Sequence, residues 1–253
     1  MLRTDNVTLA VPGKTLCRDL SFAMQPGECW GILGQNGGGK TTLLHALSGL
    51  ARPARGEVSL QGRPLRDFAP RELALKLGVL LQEEDNGYYG AVREYVLAGR
   101  FPHSAGATRW SPDDHAAADA ALDRMNLQAL AQRPVMSLSG GERQRVRIAM
   151  LLAQAPDVYL LDEPLLHLDL RHQIEVMQLF RELVTAQNKT VVMVLHDALW
   201  AGRYCDQVLL MHGDGTAVAG ASAGLLTRPH LEKLYQCGLE GMLSDREEAH
   251  ASE

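Results

Sequence analysis

The chain has 253 residues, 46% of them hydrophobic, and a formal net charge of −5. That length accommodates one large α/β domain, or a main domain with a substantial insert, and the apolar fraction suffices for a real core. The negative balance excludes a general electrostatic hold on nucleic acid.

Taken in chain order, residues 2–9 and 20–24 read as strands, with Pro26-Gly27 as the turn after the second. Cys29 to Leu33 is a short apolar run ending in glycine, the signature of a buried strand. From Lys40 to Leu50 the leucines at 43, 44, 47 and 50 fall on one helical face. Gly56 to Leu60 and Leu77 to Leu81 read as strands, the second stopping at Gln82. Beyond it, residues 83–137 are rich in Ala, Arg and Asp. Helices are expected over Val92 to Ala98 and over Asp113 to Met125, the latter opened by Ser111-Pro112-Asp113-Asp114. This stretch reads as a helical insert. Helix and strand then alternate: helix 141–154, strand 158–161, helix 171–187, strand 190–195, helix 197–203, strand 207–211. Such alternation implies a parallel sheet with crossover helices. The division expected is a single domain over 1–240, with core 1–82 and 138–240, insert 83–137, and a polar tail over 241–253.

No apolar run approaches the roughly 18 residues of a membrane span, and Met1-Leu2-Arg3-Thr4-Asp5 lacks the apolar stretch of a secretion signal. Any membrane link is therefore expected through a partner. Cys17, Cys29, Cys205 and Cys237 have no paired or zinc-like spacing and read as reduced, small core residues of a cytosolic protein.

Four expected strands end in chemistry. The run 29–33 ends at Gly34-Gln35-Asn36-Gly37-Gly38-Gly39-Lys40-Thr41, which fits G-x-x-x-x-G-K-[ST]. The others end at Gln82, at Asp162-Glu163 and at His196-Asp197. In an open parallel sheet, ligands bind at the carboxyl ends of the strands, so four polar termini converge on one edge. The glycine loop lets backbone amides approach phosphate and opens a helix whose N-terminus favours an anion. Lys40 reaches phosphate as a point charge, and Thr41 and Asp162 offer oxygen to Mg²⁺. Glu163 is placed to orient and deprotonate a water. Ser139, Gly140 and Gly141 precede a second helix and form a second anion-receiving N-terminus.

These motifs resemble one complete cassette of the ATP-binding cassette (ABC) family. Leu138-Ser139-Gly140-Gly141-Glu142-Arg143-Gln144 is similar to its signature, Leu160-Leu161-Asp162-Glu163-Pro164 to its Walker B strand, and Leu168-Asp169 to the end of its D-loop. Gln82 matches the Q-loop glutamine and His196 the switch histidine. The resemblance covers nearly the whole chain. It implies a P-loop NTPase core with a mostly parallel sheet, an N-terminal antiparallel β portion and a helical insert. It implies ATP and Mg²⁺ as cofactors, with Gly34 through Lys40, Thr41 and Thr42 on the nucleotide, and Thr41, Gln82 and Asp162 on the metal. Glu163, His196 and Gln82 would be catalytic. The signature, Leu138 to Glu142, would serve the nucleotide of a second copy in a head-to-tail dimer, and Asp169 of the D-loop would belong to the communication with that partner.

The insert resembles the part that docks a membrane permease, with Tyr88, Tyr89 and Phe101 belonging either to that surface or to the insert's own core. Leu97-Ala98-Gly99-Arg100-Phe101-Pro102-His103 and Asp169-Leu170-Arg171-His172-Gln173 are similar to runs in ATPases for iron-siderophore, haem and cobalamin uptake. The implied protein is a peripheral importer subunit on the cytoplasmic face of the inner or plasma membrane. Its partners would be a permease and, indirectly, a periplasmic or surface substrate-binding protein, with no nucleic acid. A soluble repair or translation ATPase, an exporter subunit or regulatory cassette, and a nucleotide-binding protein without turnover remain the alternatives. Several positions depart from the family's pattern, among them Gln35, which replaces a frequent proline without consequence for the chemistry. Val11 holds a place where many members carry an aromatic for adenine, implying weak discrimination between ATP and GTP. Leu165 and Leu166 stand where small or polar residues are common.

Overall fold

The structure, a computed structural model, describes residues 1–82, 88–104 and 110–238. The expected tail over 241–253 and the loop directly after Gln82 lie outside the described residues.

The chain opens with a hairpin of β1 (Leu2–Val11) and β2 (Lys14–Met24), turned at Pro12-Gly13. β2 starts six residues earlier than the pattern predicts. Irregular register along the pair, with Asn6 and Asp19 at positive φ, interrupts the alternation that marks a strand. β3 (Cys29–Gly34) leads through the glycine loop into α1 (Lys40–Ser48), which Gly49 stops in the left-handed region, short of the expected Leu50. β4 (Arg55–Leu60) and the two-residue β5 (Arg63–Pro64) complete a four-stranded antiparallel sheet in the order β2-β1-β4-β5.

α2 (Pro70–Lys76) leads into β6 (Leu77–Leu80). α3 (Val92–Ala98) and α4 (Pro112–Arg124) follow; Ser111 caps α4, accepting from Asp114 N, and Asp114 reciprocates. Then come α5 (Gly140–Gln154), β7 (Val158–Asp162), α6 (Leu170–Gln187), β8 (Thr190–Val194), α7 (Ala198–Tyr204) and β9 (Gln207–Met211). The chain continues through β10 (Ala217–Ala221), α8 (Ser222–Leu225) and α9 (Arg228–Tyr235). The second sheet runs β10-β9-β3-β8-β7-β6, parallel except for β10.

The sheet's central strands are apolar between their ends because both faces are covered. Cys29, Leu33, Tyr159, Leu161, Val191 and Met193 face one cluster with α3, α4, α5 and α6. Trp30, Ile32, Val158, Leu160, Val192 and Val194 face the other, with α1 and the antiparallel sheet. This period-two division fixes register: a one-residue slip would exchange the two faces of a strand. It also fixes which strand ends stand side by side at the carboxyl edge. Cys17, Cys29 and Cys205 are buried, as expected, but Cys237 is exposed, since it follows α9 beyond the packed core.

Candidate functional site

The ends of β3, β6, β7 and β8 meet at one edge, and a cleft of about 540 Å³ opens there. Asn36, Gly37, Gly39, Lys40, Thr41 and Thr42 line one side of it, and Gln82, Glu163 and His196 line the other. Gly34, Gln35 and Gly38 complete the loop behind. Gly39 is left-handed at φ +96°, and a Cβ there would come within 2.9 Å of Leu16 Cβ, so only glycine fits. No side chain caps α1, which leaves its first amides free to meet an anion.

Lys40 is buried, and its Nζ donates to Gly34 O at 2.9 Å and Gln35 O at 3.1 Å. The lysine thereby holds the loop's shape. Burial lowers its pKa, and the charges of Glu163 and Asp162 oppose that shift. Asp162, at the end of β7, is 1% exposed. Burial raises its pKa, while the nearby Thr41 hydroxyl lowers it. Even so, neither Asp162 oxygen has a partner of hydrogen-bond geometry. A buried carboxylate without partners is costly. A hard divalent cation between Thr41 and Asp162 would satisfy it, so the oxygen donors present fit Mg²⁺.

Glu163 Oε1 lies 2.6 Å from His196 Nε2, with Glu163 largely shielded and the imidazole half exposed. An ionised carboxylate only accepts, so the imidazole donates. Tyr235 of α9 donates its hydroxyl to His196 O at 3.3 Å, bracing the segment after β8.

The signature stands apart from this cleft. Leu138 is buried, and Ser139 caps α5 while Glu142 accepts from Ser139 N at 2.8 Å and from its hydroxyl at 2.9 Å. These bonds hold the Glu142 carboxyl below its usual range. Gly140 and Gly141 lie against His167 of the loop after β7. None of Leu138 to Glu142 lines the cleft of its own chain. Asp169 caps α6, accepting from His172 N at 2.9 Å. Val11, 40% exposed, lines the cleft beside Lys40 together with Leu16, which no motif or periodicity singles out.

The run at 99–103 has a structural use. A Cβ on Gly99 would collide with Met150 O of α5. Arg100 donates to Ala153 O at 2.8 Å and to Asp114 at 3.0 Å, and His103 Nε2 lies 2.8 Å from Gln154 O. The run thus closes the carbonyl end of the helix that the signature opens. Tyr89 is 82% exposed and Phe101 63% exposed, so neither belongs to the insert's core; Tyr88 packs partly buried on Tyr95, and Leu165 packs against the core cluster. Arg147 of α5 is a further polar residue not anticipated above, and Gln144, named above only as the last residue of the signature run, is buried. The available signal was an amide at 144 on the apolar face marked by Ile148 and Leu151.

A phosphate loop at the edge of a parallel sheet, a buried Asp and a largely shielded Glu beside it, and a second capped helix start define a nucleotide-hydrolysing cassette. The chain belongs to the ABC transporter family, whose description matches residues 17–166. It is 40% identical to the achromobactin transport ATP-binding protein CbrD of Dickeya dadantii, over 90% of this chain and 85% of that protein. It is 37% identical to the ferric enterobactin transport ATP-binding protein FepC of Escherichia coli, over 96% and 89%. Among solved structures it resembles an inward-facing metal-chelate type ABC transporter, with TM-score 0.81 and 31% identity over 93% of this chain and 88% of that one. It also resembles a dimeric post-hydrolysis ATP-binding cassette bound to ADP and Pi, with TM-score 0.77 and 26% identity over 88% and 99%.

Proposed function

We propose that the chain is the ATP-binding and hydrolysing subunit of an importer, driving uptake of a metal chelate such as an iron-siderophore, haem or cobalamin through a separate permease. The observation that carries the catalytic part is the convergence of Lys40, Thr41, Gln82, Glu163 and His196 on one cleft above the unpartnered Asp162. The relatives named for achromobactin and ferric enterobactin transport support the importer part. Among the described residues no helix is long and apolar enough to cross a membrane, so the proposed path belongs to a partner. The reading places the chain at the cytoplasmic face of the membrane, with a substrate-binding protein on the far side.

The loop amides and Lys40 hold the triphosphate. Thr41, Asp162 and Gln82 would hold Mg²⁺, which when bound neutralises charge on the phosphates. Glu163 accepts the proton of the attacking water, and His196 Nε2 orients that carboxylate. The signature amides of a second copy close over the γ-phosphate, so nucleotide contact becomes dimer closure and hydrolysis releases it.

Glu163→Gln removes the base and keeps the shape. It should retain ATP binding, lose turnover by at least about a hundredfold, and accumulate as an ATP-bound dimer. Phosphate release measured beside ATP binding tests this; turnover at the original rate removes Glu163 from its role. Co-purification with a multi-span permease and a periplasmic binding protein tests the importer reading; a permease without a binding protein counts toward an exporter.

A further inference from the structure

We propose that Gln144 and Arg147, one turn apart on α5, are positioning residues that hold Glu163 in its aimed conformation and tie it to the strand end carrying Gln82. The inference rests on Glu163 being the catalytic base. It adds to that reading a defined physical link between two strand ends of the site.

Glu163 is a non-glycine residue at φ +50°. A side chain in that region costs about 1–3 kcal/mol and persists only where the surroundings enforce it. Gln144 supplies such enforcement. Its side chain is 4% exposed, and its Nε2 donates to Pro164 O at 3.0 Å and to Glu163 O at 3.4 Å. The amide's own oxygen accepts from Arg147 Nη1 at 3.0 Å. Arg147 Nη2 donates to Leu81 O, the carbonyl directly before Gln82. One amide and one guanidinium therefore join the exits of β6 and β7, which are neighbours in the sheet. Neither residue lines the cleft, so both act through Glu163 and not on the nucleotide.

Arginine suits this place because its planar fork holds two acceptors at fixed separation, whereas lysine offers a point charge. The same guanidinium reaches α3. Burial raises the Tyr95 phenol pKa, while the charge of Arg147 and a hydrogen bond from it oppose that shift. A polar path thus runs from the root of Gln82 through Arg147 and Gln144 to the turn that carries Glu163. Displacement of Leu81 reaches the carboxylate without crossing the nucleotide.

The test uses the full chain and compares ATP turnover with ATP affinity. Gln144→Met keeps length and apolar fit but removes the donors; kcat should fall about tenfold with Kd for ATP changed less than twofold, the size expected for a misplaced catalytic group. Arg147→Met should behave alike, and Arg147→Lys should recover part of the rate. The double variant should be no slower than the slower single, because the pair acts as one unit. If Gln144→Met fails to fold by thermal melting, the Arg147 pair decides alone. Original kcat in the Met variants, losses that multiply in the double, or a parallel fall in affinity would each overturn the relay. Undiminished turnover by Glu163→Gln, run alongside, would instead overturn the base assignment beneath it.

Discussion

Val11 lines the cleft beside Lys40 with 40% of its surface exposed, and Leu16 is its apolar neighbour there. An aliphatic side chain offers a base contact area but no π face, and stacking on an aromatic is worth about 1–3 kcal/mol per base. The kcat/KM values for ATP and GTP should therefore agree within about threefold, and Val11→Tyr should tighten ATP binding about tenfold. Steady-state kinetics with both nucleotides measures this, and a strong ATP preference in the unaltered chain counts against it. Residues such as Lys40, Thr41 and Asp162 were legible from the sequence because each chemistry demands its residue type at a strand end or at the helix start that follows one. The partners of Gln144 and Arg147 were not, since one polar residue on a helix gives no sign of which distant carbonyl it meets. Arg147 lies 66 positions from Leu81, and only folding brings them together.

α5 has both ends held by other parts of the chain. Ser139 and Glu142 close its amide end, and Arg100 and His103 of the 99–103 run close its carbonyl end. Arg100 and Asp114 form a largely buried pair, with side chains 13% and 7% exposed. Replacing Arg100 by Met leaves Asp114 bonded only to Ser111 and Ala153 O without its donor, and should cost about 2 kcal/mol of stability, read from urea unfolding. The Asp114 carboxyl is pulled to about 2, chiefly by the Ser111 hydroxyl and N–H, then by Arg100. Its folded value lies below the ordinary 3.8, so the unfolded chain binds the proton first. The stabilisation is present at neutral pH and is lost as pH falls from about 4 toward 2. Asp114→Asn should flatten the unfolding midpoint across that window; a parallel fall in both proteins would show that other carboxylates dominate. Elements with strong periodicity, such as α3 and β7, stood where the sequence pattern placed them. The exceptions have weak signals: β10 is built of small residues, α2 has no fully buried side chain, and α9 opens on Arg-Pro-His.

One chain presents its phosphate loop and its signature as separate helix starts, with none of the signature residues in its own cleft. Completion by a second copy follows from that separation under the proposed mechanism. The rate per chain should accordingly rise with protein concentration at low concentration and level off once pairs form. Dilution kinetics with light scattering of Glu163→Gln in ATP tests this; a rate per chain independent of concentration, in a preparation that stays monomeric with ATP, would refute the arrangement.

The sequence alone determined the chemistry-bearing loops and the alternation of strand and helix, because these depend on local backbone requirements and on short-range periodicity. Tertiary structure decided what the run at 99–103 does, that Phe101 faces outward, and that Glu163 is held in a left-handed turn by an amide from another helix. Those outcomes arise from contacts between residues far apart in the chain, and pair geometry of that kind leaves no periodic trace in a single sequence.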